Sequence, residues 1–250
     1  MSFPITQPIS KPNIKNKMFP SVVDYLPNIE GLSVWLDASQ EDYNDGDNVN
    51  VWHDLTEKGN DGLQDDSASQ PEFKIDTLNG LPAIRFDGTD DFLVAPRLGY
   101  SELSVFVVIS DFDETIRQTV IGEYKINDNN RKWRIGINTS DDSIHIYTVS
   151  ETGEYIENKR HNNLIKPVIR TLLIKPFKQE SYVNSSDKLT GTRDVFVESN
   201  AHLLIGSGEG FGEYLLGDLH EVIIYNKYLT EANRRKIESY LSNKWGVVLE

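Results

Sequence analysis

Two short stretches concentrate the side chains that could do chemistry. In LNGLPAIRFDGTDDFL, residues 78–93, the carboxylates Asp87, Asp90 and Asp91 crowd a link between two apolar runs. In EDYNDGDN, residues 41–48, Asp42, Asp45 and Asp47 follow one another at similar density. Acids so close together can cleave a bond as a general acid–base pair, surround a hard cation, or accept backbone N–H bonds and turn the chain. Retaining hydrolysis of a glycosidic bond needs two carboxyl groups about 5–5.5 Å apart. Residues i and i+2 on one strand share a face and supply such a pair, but no acidic run of that kind lies within an apolar segment. The nearest spacings are Asp111, Asp113 and Glu114 in SDFDETI, which reads as a loop, and Asp218 with Glu221 in GDLHEV, which strand alternation places on opposite faces. No catalytic residue is assigned.

Calcium suits the acidic loops better, because it takes several oxygens in flexible geometry. Asp42, Asp45, Asp47, Asp90 and Asp91 are therefore the candidate metal ligands, for Ca2+, although no cofactor is required. The spacing is not that of an EF-hand, and Asn44-Asp45-Gly46 is a turn signal by itself. A solvated turn is the default at both places. In AIRFDGTDDFL, Ile84 and Phe86 share a face, which leaves residues 87–91 as a hairpin connection with Gly88 where positive φ is easiest.

Other chemistries find little support. The histidines His53, His145, His161, His202 and His220 show no i, i+4 pairing. No serine sits in a G-x-S-x-G elbow, and GSGEGFG, residues 206–212, lacks the Lys-Ser/Thr ending of a phosphate-cradling loop. Sugars are held by aromatic faces and short polar donors on loops. Gly208, Gly210, Phe211 and the adjoining Tyr214 are accordingly the candidate ligand-binding residues.

What must position these loops is a globular body. Over 250 residues, folding buries roughly 75% of the surface the unfolded chain exposes. Ten phenylalanines, eleven tyrosines and four tryptophans set the chain apart from the aromatic-poor disordered class. A net charge of -14 argues against nucleic acid and anionic membranes as partners. Without cysteine there are no disulfides, thiolate chemistry or Cys-bound zinc. No 18-residue apolar run and no signal-peptide core occur, so neither membrane insertion nor Sec export is expected.

Pro4, Pro8, Pro12, Pro20 and Pro27 mark residues 1–27 as an extended arm. Its Lys11, Lys15 and Lys17 against Asp24 give +2, leaving -14 - 2 = -16 on residues 28–250. A basic arm on an acidic body is suited to docking on protein neighbours in an assembly. Beyond Gly31 come short apolar or alternating runs between turn signals, the pattern of a sandwich or barrel. The expected strands are 32–36, 49–52, 83–86, 92–95, 103–110, 119–124, 132–138, 144–149, 169–175, 195–197, 202–205 and 219–225. SVFVVIS, residues 104–110, does not alternate and reads as a central strand covered on both faces. Ile144 and Ile146 alternate with polar neighbours, as in a strand with one wet face.

Trp35 and Trp52 read as core anchors, and Asp37 and Asp54, two positions after them, as caps accepting backbone N–H bonds. One amphipathic helix is expected at 230–245, with Thr230 as N-cap, Glu231 favoured by the helix dipole, and Gly246 at the stop. Ala232, Ile237, Tyr240, Leu241 and Trp245 form its packing face; Arg234, Arg235, Glu238 and Asn243 form its solvent face.

GLSVWLDAS, VNVWHDLTEKGNDGLQ, QPEF, LNGLPAIRFDGTDDFL and GDLHEVIIYNKYLTEANRRKIESYLSNKWGV, taken in order, resemble the LamG-like branch of the concanavalin A-like lectin and glucanase superfamily. The resemblance is strong at both ends of residues 31–247 and weak from Ser110 to Asn200. It implies an all-β jelly roll, an antiparallel two-sheet β-sandwich over 28–250 including the C-terminal helix. It further implies that FDGTDDFL marks the fold and not an active site. Because one fold hosts lectins, adhesion modules, hydrolases and structural domains, function must be argued separately. The expectation is a non-enzymatic lectin-like module, with a glycan as ligand. It would be made in the cytoplasm without a signal peptide and displayed on a virion, such as a phage capsid, tail or fibre, or on another extracellular surface, through residues 1–27. A glycoside hydrolase and a ligand-free structural virion protein are the alternatives.

Overall fold

β7 (Leu103–Ser110) shows how the sequence builds the fold: all eight of its residues are buried. Leu103, Val105, Val107 and Ile109 point into one hydrophobic cluster, Phe106 and Val108 into another. A strand with two apolar faces has to lie in the middle of three layers. A computed structural model describes residues 26–113, 115–125, 131–138, 143–149, 155–158, 167–191, 201–208 and 212–250.

In chain order the strands are β1 (Leu32–Asp37), β2 (Val51–Trp52), β3 (Gly62–Leu63), β4 (Glu72–Leu78), β5 (Leu81–Asp87), β6 (Leu93–Ala95), β7, β8 (Gln118–Lys125) and β9 (Arg131–Asn138). They continue with β10 (Ser143–Val149), β11 (Tyr155–Asn158), β12 (Val168–Lys175), β13 (Lys178–Val183), β14 (Ser186–Gly191), β15 (Ala201–Ile205) and β16 (Leu216–Tyr225), and the helix α1 (Glu231–Trp245) follows. The first sheet runs β14-β13-β12-β7-β16-β5-β4, with β1 also paired to β16; the second runs β11-β10-β9-β8-β15-β6-β3-β2. The two sheets meet through Val107, Leu219 and Val222 on one side and Ile121, Trp133 and Leu203 on the other. This is the antiparallel two-sheet, concanavalin A-like sandwich that the resemblance implies.

α1 covers the outer face of the first sheet, where Ile237, Leu241 and Trp245 pack on Phe106, Val108 and Ile223. Thr230 Oγ1 accepts from Asn233 N, and Gly246 closes the helix in the left-handed region at φ 68°. Trp245 is fully buried and anchors the helix; burial of a large side chain contributes about 1.5–3 kcal/mol. Glu221 of β16 ties the layers together, accepting from Trp35 Nε1, Tyr240 Oη, Lys244 Nζ and Trp245 Nε1. Trp52 is a core residue, whereas Trp35 is half-buried on the helix side. Asp37 and Asp54 cap as expected: Asp37 accepts from Ser39 N, and Asp54 from the Trp35, Thr56 and Asn60 amides.

Four expectations need correction. The segment 87–91 is not a hairpin connection. β5 pairs with β4 and β16 in the first sheet while β6 pairs with β15 and β3 in the second, so the loop crosses between sheets. Ile84, Phe86, Leu93 and Ala95 therefore enter the same core from opposite sides. Next, Arg234 and Glu238 are not on a solvent face: both are buried, ion-paired at 2.5 Å, with Thr171 Oγ1 donating to Glu238. Thr171 on β12 and the Ser185 carbonyl, which accepts from Arg234 Nη1, make their burial tolerable, while Ala232, expected inside, is exposed. A bulge between Leu219 and Glu221 turns Asp218 and Glu221 to the same face, since Leu219 and Val222 both enter the inter-sheet core. Finally β3, β4, β11, β13 and β14 are strands without an expected counterpart. The arm up to residue 25, the strand expected at 195–197 and the side chains of Ile144 and Ile146 lie outside the described residues.

Candidate ligand-binding site

With α1 on the first sheet, the outer face of the second sheet has no helix over it among the described residues. In KWRIGIN, Trp133, Ile135 and Ile137 face the core, which leaves Arg134 and Gly136 on that outer face. β8 lies opposite, with Thr119 across from Gly136 and Gly122 across from Arg134, and a bulge lets Val120 and Ile121 both reach the core. The two glycines leave the sheet bare beneath the guanidinium. A Cβ on Gly136 would sit 2.6 Å from Arg134 Nη2, and one on Gly122 would sit 2.6 Å from Trp133 O.

Arg134 is fully buried and ion-paired through Nη1 to Glu213 Oε2. Arg117 Nε holds Glu213 Oε1 at 2.8 Å, Thr119 Oγ1 donates to Oε2 at 3.2 Å, and Tyr124 Oη lies 3.3 Å from Thr119 Oγ1. The loop that brings Glu213 here is stapled to the sheet by Gly206 N→Val120 O at 2.9 Å, Leu215 N→Gly206 O at 2.8 Å and Thr119 N→Glu213 O at 2.9 Å. Gly206, at φ 82°, lets the loop pass close over Phe86, 2.3 Å from where its Cβ would be.

Gly208 lies directly against the cluster: a Cβ there would be 2.6 Å from Thr119 Oγ1 and 3.2 Å from Glu213 Oε2. From Arg134 a cross-strand row runs through Gly122, Leu204, Val94 and Leu63 to Val51. Leu63 is exposed and Val94 half-exposed, whereas Leu204 and the corner residues Arg134, Thr119 and Glu213 are buried, so the row is an apolar shelf that runs from the surface down to a covered, charged corner. Its accessible end can accept a flat apolar face, and Arg117, exposed beside Glu213, is the polar group within reach of solvent.

Of the residues expected in a ligand loop, Gly208 is therefore at the corner and Tyr214, half-buried, is in the same loop. Gly210 and Phe211 lie outside the described residues. Arg134, Glu213, Thr119 and Tyr124 were not expected. The alternation W-R-I-G-I carries a signal for two of these positions, because an arginine and a glycine between core-facing residues must share the outer face. Glu213 has no such signal, since its partner is 79 residues away.

The acidic loops divide. Asp42, Asp45 and Asp47 do not converge: Asp47 Oδ2 accepts from Asn44 N at 2.7 Å within the turn, Asp45 Oδ1 accepts from Ile75 N of β4 at 3.1 Å, and Asp42 is exposed. Asp90 and Asp91 do come together with Asp87, one oxygen from each lying within 4.8 Å of the others, a set able to hold a hard cation. The same carboxylates also shape the crossing, since Asp91 Oδ2 accepts from Asp87 N and Asp87 Oδ1 from Thr89 N.

Burial first, then the charges of Asp87 and Asp90, push Asp91 up to about 7. Its folded-state value thus exceeds the unfolded one, so its contribution favours the fold at low pH and is lost as pH rises through 7. Asp91→Asn is expected to flatten the fall in melting temperature between about pH 4 and 8 and to raise it at pH 8. A variant curve running parallel to the native one would remove Asp91 as the cause. Bound calcium would give a different result, a calcium-dependent rise in the native chain alone.

Asp218 and Glu221 share a face but serve separate partners, Asp218 in a bidentate pair with Arg85 at 2.7 Å and Glu221 beneath α1. Asp111 lies 3.6 Å from Arg85, Asp113 Oδ1 accepts from Thr115 N, and Glu114 lies outside the described residues. His220 Nε2 meets Ser110 Oγ at 2.8 Å with its ring against Trp245, and burial holds its pKa down at about 4. His53 is bonded to Glu41, which raises its pKa.

No family model matches the sequence, and no curated protein does. Solved structures do. Domain 4 of AbnA, a GH43 extracellular arabinanase from Geobacillus stearothermophilus, in complex with arabinotriose, is similar at TM-score 0.61 and 16% identity, covering 84% of this chain and 97% of that one. Trypanosoma rangeli sialidase in complex with sialic acid gives 0.57 and 15%, covering 88% of this chain but 34% of that one. The binding domain of Paraclostridial Mosquitocidal Protein 1 gives 0.55 and 12%, covering 86% and 52%. This chain thus spans about a third of the sialidase and nearly all of the arabinanase domain. At these identities the likeness shows the fold. No helix among the described residues is long and apolar enough to cross a membrane.

Proposed function

We propose that the chain is a lectin-like recognition module that binds a glycan on the outer face of its second sheet without cleaving it. The observation that carries this reading is the corner made by Arg134, Glu213 and Thr119 beneath Gly208, at the end of the Leu63–Val94–Leu204 shelf. A pyranose or furanose ring presents an apolar face and a polar rim; Leu63 and Val94 answer the first, and Arg117, exposed and held by the corner's Glu213, answers the second. At this corner Glu213 is held by two arginines and so acts as a positioning anion, not as half of a hydrolytic pair. The similarity to a domain solved with arabinotriose, of nearly the same extent as this chain, supports a sugar as ligand class.

In this reading the module belongs to the LamG-like branch and is displayed on a larger particle, such as a phage virion, with residues 1–27 as its attachment to neighbouring proteins. A glycan array tests the ligand. The native chain is expected to bind a discrete set of glycans, in EDTA as in calcium. Tyr214→Ala should weaken that binding roughly tenfold, since aromatic contacts rank among the dominant ones in binding surfaces. A blank array, or undiminished binding by the variant, would refute the assignment.

A further inference from the structure

The tip of the β12–β13 hairpin carries a feature that the sugar site does not use. Lys175 pairs with Lys178, leaving Pro176-Phe177 as a two-residue connection, and Phe177 sits at φ 62°. Proline followed by a residue of positive φ is the pattern of a type II turn, whose second central position ordinarily takes Gly or Asn. A bulky aromatic is strained there. Nothing inside the molecule compensates, because Phe177 is 64% exposed, the one aromatic among the exposed large hydrophobics of the described residues. A strained residue that gains no burial points to a role outside its own fold.

Its surroundings say what kind of partner. On a chain of net charge -14, this tip is basic. Lys175 and Lys178 stand over the Tyr228 ring at 4.6 and 5.2 Å, and Lys188 adds a third cation; Lys178 and Lys188 share Glu180 as their acid. The edge strand β4, at the far end of the same sheet's strand order, carries the reverse. There β4 loses register with β5 after Lys74, and Ile75, 56% exposed, is turned outward between Asp45 and Asp76 with Glu72 nearby. The hairpin tip offers an apolar knob beside cations; the β4 edge offers an exposed isoleucine beside Asp45 and Asp76, with Glu72 paired to Lys74.

We propose that Phe177 docks on the Ile75 edge of a second copy of this chain, with Lys175 and Lys178 facing Asp45 and Asp76. Because the two patches differ, the contact is head-to-tail and generates a ring or an open filament instead of a closed twofold dimer. The inference stands independently of the sugar site.

Sedimentation of the full chain across a concentration series tests it. The native chain is expected to self-associate, less strongly at high salt. Phe177→Gly should weaken association roughly tenfold or more while raising the melting temperature by about 2–4 °C, because glycine relieves the turn. Lys175→Glu should abolish association, and adding Asp76→Lys in the same chain should restore it. A native chain that stays monomeric, a Phe177→Gly chain that associates like the native one, or one that melts earlier would each overturn the proposal.

Discussion

Glu221→Ala should destabilise the chain by about 3–5 kcal/mol, the range for removing one member of a buried ionic network. Glu221 is fully buried, and its two oxygens accept four donors at 2.7 to 2.9 Å: Trp35 Nε1 and Tyr240 Oη on one, Lys244 Nζ and Trp245 Nε1 on the other. Removing the carboxylate takes the acceptor from both indole N–H groups, and Lys244 keeps only Asp37 as its acid. Three of the four belong to α1, so the loss falls on the docking of the helix and exposes the Phe106–Val108–Ile223 face beneath it. Glu221→Gln, which keeps one acceptor, should cost less. Denaturant unfolding followed by tryptophan fluorescence measures both; a loss under 1 kcal/mol for the alanine variant would mean that apolar packing alone docks the helix.

Glu213→Ala is expected to cost about 3 kcal/mol and to eliminate glycan binding. Arg134 cannot shed its charge, so the variant takes a carboxylate away from a fully buried guanidinium. Arg117 gives up the same carboxylate, but at 42% side-chain exposure it can turn to water. The double variant Glu213→Ala/Arg134→Met separates the two effects. Replacing a buried pair by apolar groups is often near neutral, so stability should recover while binding does not. Recovery of both would show that the pair only supports the loop.

The same residues show what the sequence made legible. β7 could be read because its lack of alternation has one physical meaning, burial on both faces. α1 could be read because its cap, periodicity and stop are local. The crossing at residues 87–91 was misread because Gly88 and the aspartates satisfy the chain's reversal equally well whether the flanking strands pair or pack face to face. Arg234 and Glu238 were placed in solvent because i, i+4 opposite charges mark exposed helix faces, and nothing local reveals that Thr171 waits on β12. The site was half legible. Gly208 and Tyr214 mark the loop that lies against this cluster, and strand alternation puts Arg134 on the outer face. The ion pair at the centre of the proposed site joins residues 79 apart, which only the folded sheet brings together.

Titrating a ¹⁵N-labelled chain with an oligosaccharide drawn from the array, and following both amide shifts and sugar signals, tests sugar recognition without cleavage most directly. The expected result is a set of shifts centred on Gly122, Arg134, Gly208 and Tyr214, with the sugar intact throughout. Shifts centred on Asp87, Asp90 and Asp91, or new reducing-end signals growing with time, would contradict it.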